Sequence, residues 1–178
     1  SLHDALPIYS DDNNGMMGNG GMMNNQSSGA YSGADIMFAQ MMIPHHQQAV
    51  DMSTLAETRT TNPEVLALAK QIKDAQAPEI KQMTDWIESS GAGMDMGHDM
   101  GMNGMLTDSQ VANLGKLKGR AFDKEFLKSM IAHHKGALQM VSLIKNTKNA
   151  EAKKLAQDIV KAQTAEIQLM KNISTKLN

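Results

Sequence analysis

The chain of 178 residues contains no cysteine. Disulfides and thiolate sites are therefore excluded, and a soft metal ion would have to be bound by methionine thioethers or histidine imidazoles. Aromatic residues are scarce, with one Trp, two Tyr and three Phe, and runs of β-branched residues are absent, which argues against a sheet protein. The sequence also lacks any run of about 18 apolar residues, so we expect no membrane span.

Several catalytic motifs are missing as well. A di-iron site in a four-helix bundle needs two Glu-x-x-His pairs, and the sequence contains none. A His-Glu-x-x-His zinc motif is absent, and neither a cysteine nor a serine elbow offers a nucleophile. The net charge of −2, without a basic cluster, makes nucleic acid an unexpected partner. We therefore expect a protein that is not an enzyme.

Methionine, in contrast, is abundant, with 17 residues. Some lie in residues 1–33, among Asn, Gly and Ser, where the composition predicts a flexible arm that is either a linker or a collector of soft metal ions. The chain starts without a visible export signal, so we expect that a signal peptide has been removed or that the start is truncated.

Two histidine pairs mark an internal repeat. Met-Ile-Pro-His-His at residues 42–46 returns as Met-Ile-Ala-His-His at residues 130–134, 88 positions later. The surrounding residues follow one pattern, D-x-x-F-x-x-x-M-I-x-H-H-x-x-A-x-x-M, in both copies. The pattern contains four of the six histidines, which makes chance clustering a poor explanation.

Apolar residues at steps of three and four predict four long helices, at about residues 32–59, 63–89, 121–145 and 149–177, with a short helix at about 108–118. Pro44 is expected to kink or bulge the first helix. Two helical hairpins, 34–90 and 107–177, joined by a Met-rich linker at 91–106, predict an all-α four-helix bundle with a long crossover.

Each histidine pair follows a methionine by one helical turn, so the thioether and an imidazole can reach one ion. Adjacent histidines point about 100° apart on a helix, so one of each pair is expected to bind while the other hydrogen-bonds to a Gln or Glu of the next helix. The primary candidates are Met42, His45, His46, Met130, His133 and His134, and the Gln-x-x-Glu candidates are Gln76, Glu79, Gln163 and Glu166.

Met52 and Met140 lie two turns from the histidines and would need partners of their own. The neighbouring helices offer Met83 beside Glu79, and Met170 beside Glu166. A thioether with an imidazole suits Cu(I) and Ag(I), whereas imidazole alone would accept Cu(II) or Zn(II). The alternative interpretation of these positions is ordinary core packing, with buried histidines that bind nothing.

The linker between the hairpins repeats the same chemistry in an open form. Its thioethers and imidazole alternate with small or polar residues, so the segment could fold around one ion, and the alternative is a loop with incidental methionines. The candidates are Met94, Met96, His98, Met100 and Met102.

The segment from Asp35 to Met52, its repeat from Phe122 to Met140, and the Gln-x-x-Glu-x-x-x-Met endings of helices two and four resemble the domain-of-unknown-function 305 family over residues 34–177. The resemblance implies a ferritin-like bundle and an exported, periplasmic or secreted, bacterial protein linked to copper binding and copper resistance. It also implies that Met42, His45, His46, Met52, Met83 and their second-copy equivalents are ligands.

These observations predict a protein that sequesters or delivers a copper ion, with Cu(I) favoured and Cu(II) or Ag(I) as alternatives. Its partners would be metal ions and other copper-handling proteins, and its state a monomer or homodimer. Two other hypotheses remain open at this point: a ferritin-like metal oxidase that uses Glu79, Glu166 and the histidines, and a structural helical module without a metal role.

Overall fold

The computed structural model describes residues 30–94 and 102–178. Within these ranges the chain forms helices and no strand, so the predicted all-α class is confirmed. A 3₁₀ turn at Ser142–Ile144 directly follows the helix that ends at Val141. The helices are α1 (Gly33–Arg59), α2 (Pro63–Ser90), α3 (Asp108–Lys116), α4 (Gly119–Val141) and α5 (Ala150–Lys176).

The helix starts follow from capping residues in the sequence. Ser32 and Asp35 form a capping box at α1, and Thr107 and Gln110 form one at α3. The Asn62 side chain accepts hydrogen bonds from the first backbone N–H groups of α2. Satisfying these otherwise unpaired donors sets the start of each helix.

Pro44 does not interrupt α1, which continues as one helix from Gly33 to Arg59. The side chain of Pro44 is exposed, and the two histidines that follow it are buried. The proline ring therefore lies on the solvent side of the helix.

The hydrophobic core consists of two apolar clusters. The Trp86 cluster comprises Phe38, Ala39, Met42, Met83, Trp86, Ile87, Ala137, Met140, Val141, Ile144, Ala152, Leu155 and Ile159. The Phe122 cluster comprises Ala49, Met52, Ala56, Val65, Leu68, Ala69, Ile72, Leu114, Phe122, Phe126, Leu127, Met130, Ile167, Met170 and Ile173.

The order in which each helix enters these clusters gives its direction. Helices α1 and α5 meet the Trp86 cluster first, whereas α2 and α4 meet the Phe122 cluster first. The four long helices therefore run up, down, down and up, and the connection from α2 to α4 must return along the length of the bundle. This is the predicted four-helix bundle with a crossover.

The described parts of the returning connection, residues 91–94 and 102–118, contact α1. At its start, Gln40 donates a hydrogen bond of 2.6 Å to the carbonyl of Gly93. Farther along, Gln48 donates to the carbonyl of Leu106 at 2.9 Å and accepts from its N–H at 2.8 Å. The described parts of the connection are thus attached to α1 at two points about two turns apart.

Two glycines allow the connection to lie directly on α4. Gly104 has a φ of 81°, and a Cβ built there would be 2.3 Å from the carbonyl oxygen of Ala132. A Cβ built on Gly136 would be 1.8 Å from the carbonyl oxygen of Asn103. No larger residue fits at either position without a shift of the backbone, so backbone meets backbone here.

None of the described helices combines the length and the apolar character that a membrane span requires.

The glycine contact can be tested by replacing Gly136 with Ala. The added methyl group must push the Asn103 carbonyl away, so we expect a loss of about 1–3 kcal/mol in the free energy of unfolding, typical of overpacking. Urea denaturation measures this loss. Gly33→Ala is the matched control, because no atom lies within 4 Å of a Cβ at that position. Equal stabilities of the two variants would contradict the close contact.

Candidate metal centre

A polar layer separates the two apolar clusters. On α1 and α4 it consists of the four repeated histidines, which are each at most 1% exposed: His45, His46, His133 and His134. On α2 and α5 it consists of Gln76 with Glu79, and Gln163 with Glu166. All four long helices therefore contribute polar groups at one level of the bundle.

The first histidine of each pair faces its counterpart. The rings of His45 and His133 have centroids 3.8 Å apart and an interplanar angle of 34°. The second histidine of each pair instead turns to a glutamate of its hairpin partner. His46 Nε2 lies 2.6 Å from Glu79 Oε2, and His134 Nε2 lies 2.7 Å from Glu166 Oε2. The two copies thus have the same arrangement.

These contacts assign the ring tautomers. A carboxylate can only accept, so Nε2 of His46 and Nε2 of His134 are the protonated nitrogens. His45 Nε2 lies 3.3 Å from the carbonyl oxygen of Asn103, which also can only accept. In a neutral ring, this leaves Nδ1 of each of these three histidines with a free lone pair.

These lone pairs are buried and unused. Within the described residues, the Nδ1 atoms of all four histidines, and also Nε2 of His133, have no partner in hydrogen-bonding geometry. Burying a polar atom without a partner costs about 1–3 kcal/mol, so five such atoms in one layer are unusual for a core that only has to be stable. A metal ion would use the same lone pairs.

Burial keeps the two facing rings uncharged. Desolvation, together with the charge of His46 nearby, lowers the pKa of His45 from 6.5 to about 4, and the Asn103 carbonyl offsets only part of this. Desolvation and the neighbouring His45 lower the pKa of His133 well below 6.5. Both rings are therefore neutral at pH 7, which is the form that binds metal ions.

The sequence made both glutamines of the layer candidates for hydrogen bonds to the histidines, but atoms of both side chains are unpartnered. Gln76 is 2% exposed, and neither its Nε2 nor its Oε1 has a partner among the described residues. Gln163 is 3% exposed, and its Oε1 is likewise unpartnered. The hydrogen bonds to the histidines come from Glu79 and Glu166, and Gln76 makes none.

Sequence reasoning missed two contributors to the layer. Asn103 acts through its main-chain carbonyl, which leaves no trace in the residue type. Gln71, one turn outside the Gln-x-x-Glu motif, donates a hydrogen bond of 3.2 Å to Glu166 Oε1. Glu166 therefore has two partners, and its side chain is 2% exposed, whereas that of Glu79 is 16% exposed.

The buried methionines divide into two groups of three, one in each apolar cluster. Met42, Met83 and Met140 belong to the Trp86 cluster, and Met52, Met130 and Met170 to the Phe122 cluster. Each group combines both copies of the repeat. Met83, which the sequence offered as a neighbour of Met52, lies in the other cluster: α1 and α2 are antiparallel, so Met83, late in α2, lies at the level of Met42.

The linker candidates are only partly covered by the structure. Met94 is 49% exposed, and Met102 is partly buried against the Trp86 cluster. Met96, His98 and Met100 lie outside the described residues.

In residues 30–94 and 102–178, no three His, Asp or Glu side chains converge in a way that could hold a metal ion. The unpartnered donors of the layer are imidazole nitrogens and the amide oxygens of Gln76 and Gln163, and the methionine thioethers belong to the apolar clusters on either side. Imidazole nitrogens accept Cu(I), Cu(II) or Zn(II), and thioethers suit Cu(I) or Ag(I).

Comparison with known proteins gives a family match and several similar structures. The model of the family described as "Domain of unknown function (DUF305)" matches residues 35–174. The crystal structure of a DUF305 protein from Streptomyces coelicolor is similar to this chain, with 34% sequence identity and a TM-score of 0.75. The match covers 81% of this chain and 93% of that protein, which is described as secreted by prediction. No curated protein matches the chain.

CopM is similar to this chain in its Cu(I)-bound and Cu(II)-bound crystal structures. The Cu(I) form is 35% identical, with a TM-score of 0.68 over 80% of this chain and 96% of CopM. The Cu(II) form is 36% identical, with a TM-score of 0.67 over 81% of this chain and 97% of CopM. CopM has also been crystallised with silver.

The lowered histidine pKa values predict how the stability of the metal-free protein depends on pH. His45 titrates near 6.5 when unfolded and at about 4 when folded, so the unfolded state binds the extra proton first. Stability is then highest above pH 6.5 and falls as the pH is lowered towards 4, by about 3 kcal/mol for this group alone. Urea denaturation at a series of pH values measures it.

A His45→Phe variant serves as the control for this experiment, because it keeps a ring but removes the titrating nitrogen. Its stability should fall less steeply between pH 6.5 and pH 5. A wild-type stability that stays constant over this range would contradict the assignment of neutral, buried rings.

Proposed function

Because the chain belongs to the DUF305 family, we propose that it is a binding protein for monovalent copper, which it sequesters or delivers without catalysis. The observation that supports this proposal best is the set of unpartnered Nδ1 lone pairs in the buried histidine layer. The similarity to CopM, crystallised with Cu(I), Cu(II) and Ag, supports it independently.

The His–Glu pairs give the layer the support that metal-binding histidines usually have. A carboxylate that accepts the Nε2–H proton orients the ring and raises the basicity of the opposite nitrogen. Glu79 does this for His46, and Glu166 for His134. In this proposal the Nδ1 atoms bind the ion, and the glutamates stay out of direct contact with it.

The surroundings of the layer favour Cu(I) over Cu(II). Apolar clusters on both sides disfavour a doubly charged ion, whose desolvation costs more. Thioethers lie in the clusters on both sides of the layer, and they are soft ligands that select Cu(I) or Ag(I). Cu(II) would bind, if at all, at more exposed imidazoles or oxygens.

The rival oxidase hypothesis has no specific support in the geometry. A ferritin-like oxidase needs carboxylates that share metal ions, whereas Glu79 and Glu166 are each hydrogen-bonded to a different histidine. We therefore propose that the protein holds copper as cargo. We also propose that it acts outside the cytoplasm, as the secretion predicted for the Streptomyces coelicolor protein suggests.

Competition with a chromogenic Cu(I) chelator tests the binding proposal. We expect the full chain to withdraw Cu(I) from the chelator, and the double variant His46→Gln/His134→Gln to lose this tight binding. A matched variant with Leu at Met94, Met96 and Met100 should retain it, because those residues lie in the linker. Absence of competition at micromolar copper would refute the proposal.

The role of the glutamates gives a more specific prediction. Glu166→Gln keeps an oxygen that can accept from His134 but removes the charge, so Cu(I) affinity should fall by about 10–100-fold. Glu64→Gln is the control, since Glu64 pairs with Lys176 at the surface, 2.6 Å away. Equal affinities of the two variants would show that Glu166 does not act on a ligand.

Metal-dependent stability and oxygen uptake separate the remaining hypotheses. Cu(I) at 100 times its Kd should raise the free energy of unfolding by about 2.7 kcal/mol, whereas a purely structural module would show no change.

An oxidase would consume oxygen in the presence of Cu(I) or Fe(II). We expect none above the rate of a metal-only solution.

A further inference from the structure

We propose that soft metal ions enter the bundle at the end that contains the Trp86 cluster, along a path of methionine thioethers from the surface to the histidine layer. The inference rests on the proposed function and adds the route by which the ion reaches the histidine layer. The path is graded in exposure: Met37 and Met94 are 38% and 49% exposed, Met41 and Met102 are partly buried, and Met42, Met83 and Met140 are at most 6% exposed.

The backbone brings the outer members of the path together. Met37 and Met41 are one turn apart on α1. Gln40, between them, donates its hydrogen bond to the carbonyl of Gly93, which places the start of the connection, and hence Met94, against the same turns of α1. The surface end of the path is therefore formed by two segments that are far apart in sequence.

The inner members connect this surface to the histidines. Met41 and Met102 both pack against the Trp86 cluster, which contains Met42, Met83 and Met140. Met102 is followed directly by Asn103, whose carbonyl oxygen is the partner of His45 Nε2 at 3.3 Å. An ion passed between thioethers of this cluster thus arrives at the level of the His45–His133 pair.

Among the residues that the structure describes, the opposite end of the bundle offers no such path. The partly buried apolar residues around the Phe122 cluster are Leu55, Leu106, Leu117, Ile131, Leu138 and Leu177, which have no sulfur. At the second-copy positions of Met37 and Met41, the chain has Glu125 and Ser129. The inner methionines are duplicated, and the outer ones on α1 are not.

This asymmetry distinguishes a path from ordinary packing. Methionine that only fills space would be expected equally at both ends of a repeated bundle, and it would not be needed at exposed positions. A monovalent ion cannot cross a hydrocarbon layer as a free charge. It can exchange from one thioether to the next without losing all its ligands. In residues 30–94 and 102–178, only the Trp86 end provides successive thioethers.

The test measures how fast Ag(I), added as silver nitrate, loads the full chain. Trp86 is the single tryptophan, is 2% exposed and lies in the cluster on the path, so its fluorescence in a stopped-flow instrument reports arrival of the heavy ion. The variant is Met41→Leu/Met102→Leu. Leucine has nearly the same volume as methionine, so the fold should be kept, and a thermal melt checks this.

We expect the double variant to load about tenfold more slowly than the wild type, with the same amount of silver bound at equilibrium. Met105→Leu is the matched control, since Met105 is partly buried in the same connection but belongs to neither cluster. Its loading rate should equal that of the wild type.

The other outcomes overturn the inference in distinguishable ways. If the wild type binds silver and the double variant loads as fast, the path is wrong and the proposed function stands. If Met105→Leu slows silver loading as much as the double variant does, the effect is a general one of the connection, and the path is refuted. If the double variant no longer binds silver at equilibrium, the thioethers of Met41 and Met102 are ligands, which also refutes the path. If the wild type takes up no silver or Cu(I), the proposed function itself fails.

Discussion

The burial of four imidazoles in one layer is the constraint on which the rest of the structure depends. Apolar clusters above and below remove water, so every polar group of the layer must find a partner in the protein or remain unpaired. Glu79 and Glu166 satisfy one nitrogen each of His46 and His134, and the Asn103 carbonyl satisfies one of His45. Among the described residues, the layer is left with unpaired ring nitrogens on all four histidines and unpaired amide atoms on Gln76 and Gln163. In the proposed function, the cost of these unpaired nitrogens in the metal-free protein would be relieved when they bind the ion.

The connection between the hairpins is shaped by the same layer. Because α2 and α4 run in the same direction, the chain must return along the bundle, and it does so over the His45–His133 pair. Gly104 and Gly136 let its backbone approach α4 closely enough to close the layer. The connection breaks the symmetry of the repeat, since it covers one side of the bundle and adds Met102 to only one of the two apolar clusters.

Much of the architecture could be read from the residues. Apolar spacing identified every long helix to within a few residues, because this signal acts within a few turns of the chain. Burial of the histidines on the apolar stripe followed from the same periodicity. The partners could not be read in this way: Gln76 and Glu79 are one turn apart and equally plausible, and only the packing of α1 on α2 selects Glu79. Asn103 contributes a main-chain atom, which any residue would provide.

The sequence by itself determined the helical class, the repeat and the donor types that a metal ion could use, because thiols are absent and imidazoles and thioethers are the soft ligands present. Tertiary structure alone decided which donors meet. Helix direction placed Met83 with Met42 and Met140, and Met52 with Met130 and Met170, so that each group draws on both copies. The physical reason is range: helix formation and capping depend on neighbours along the chain, whereas the approach of His45 to His133 depends on antiparallel packing of segments 88 residues apart.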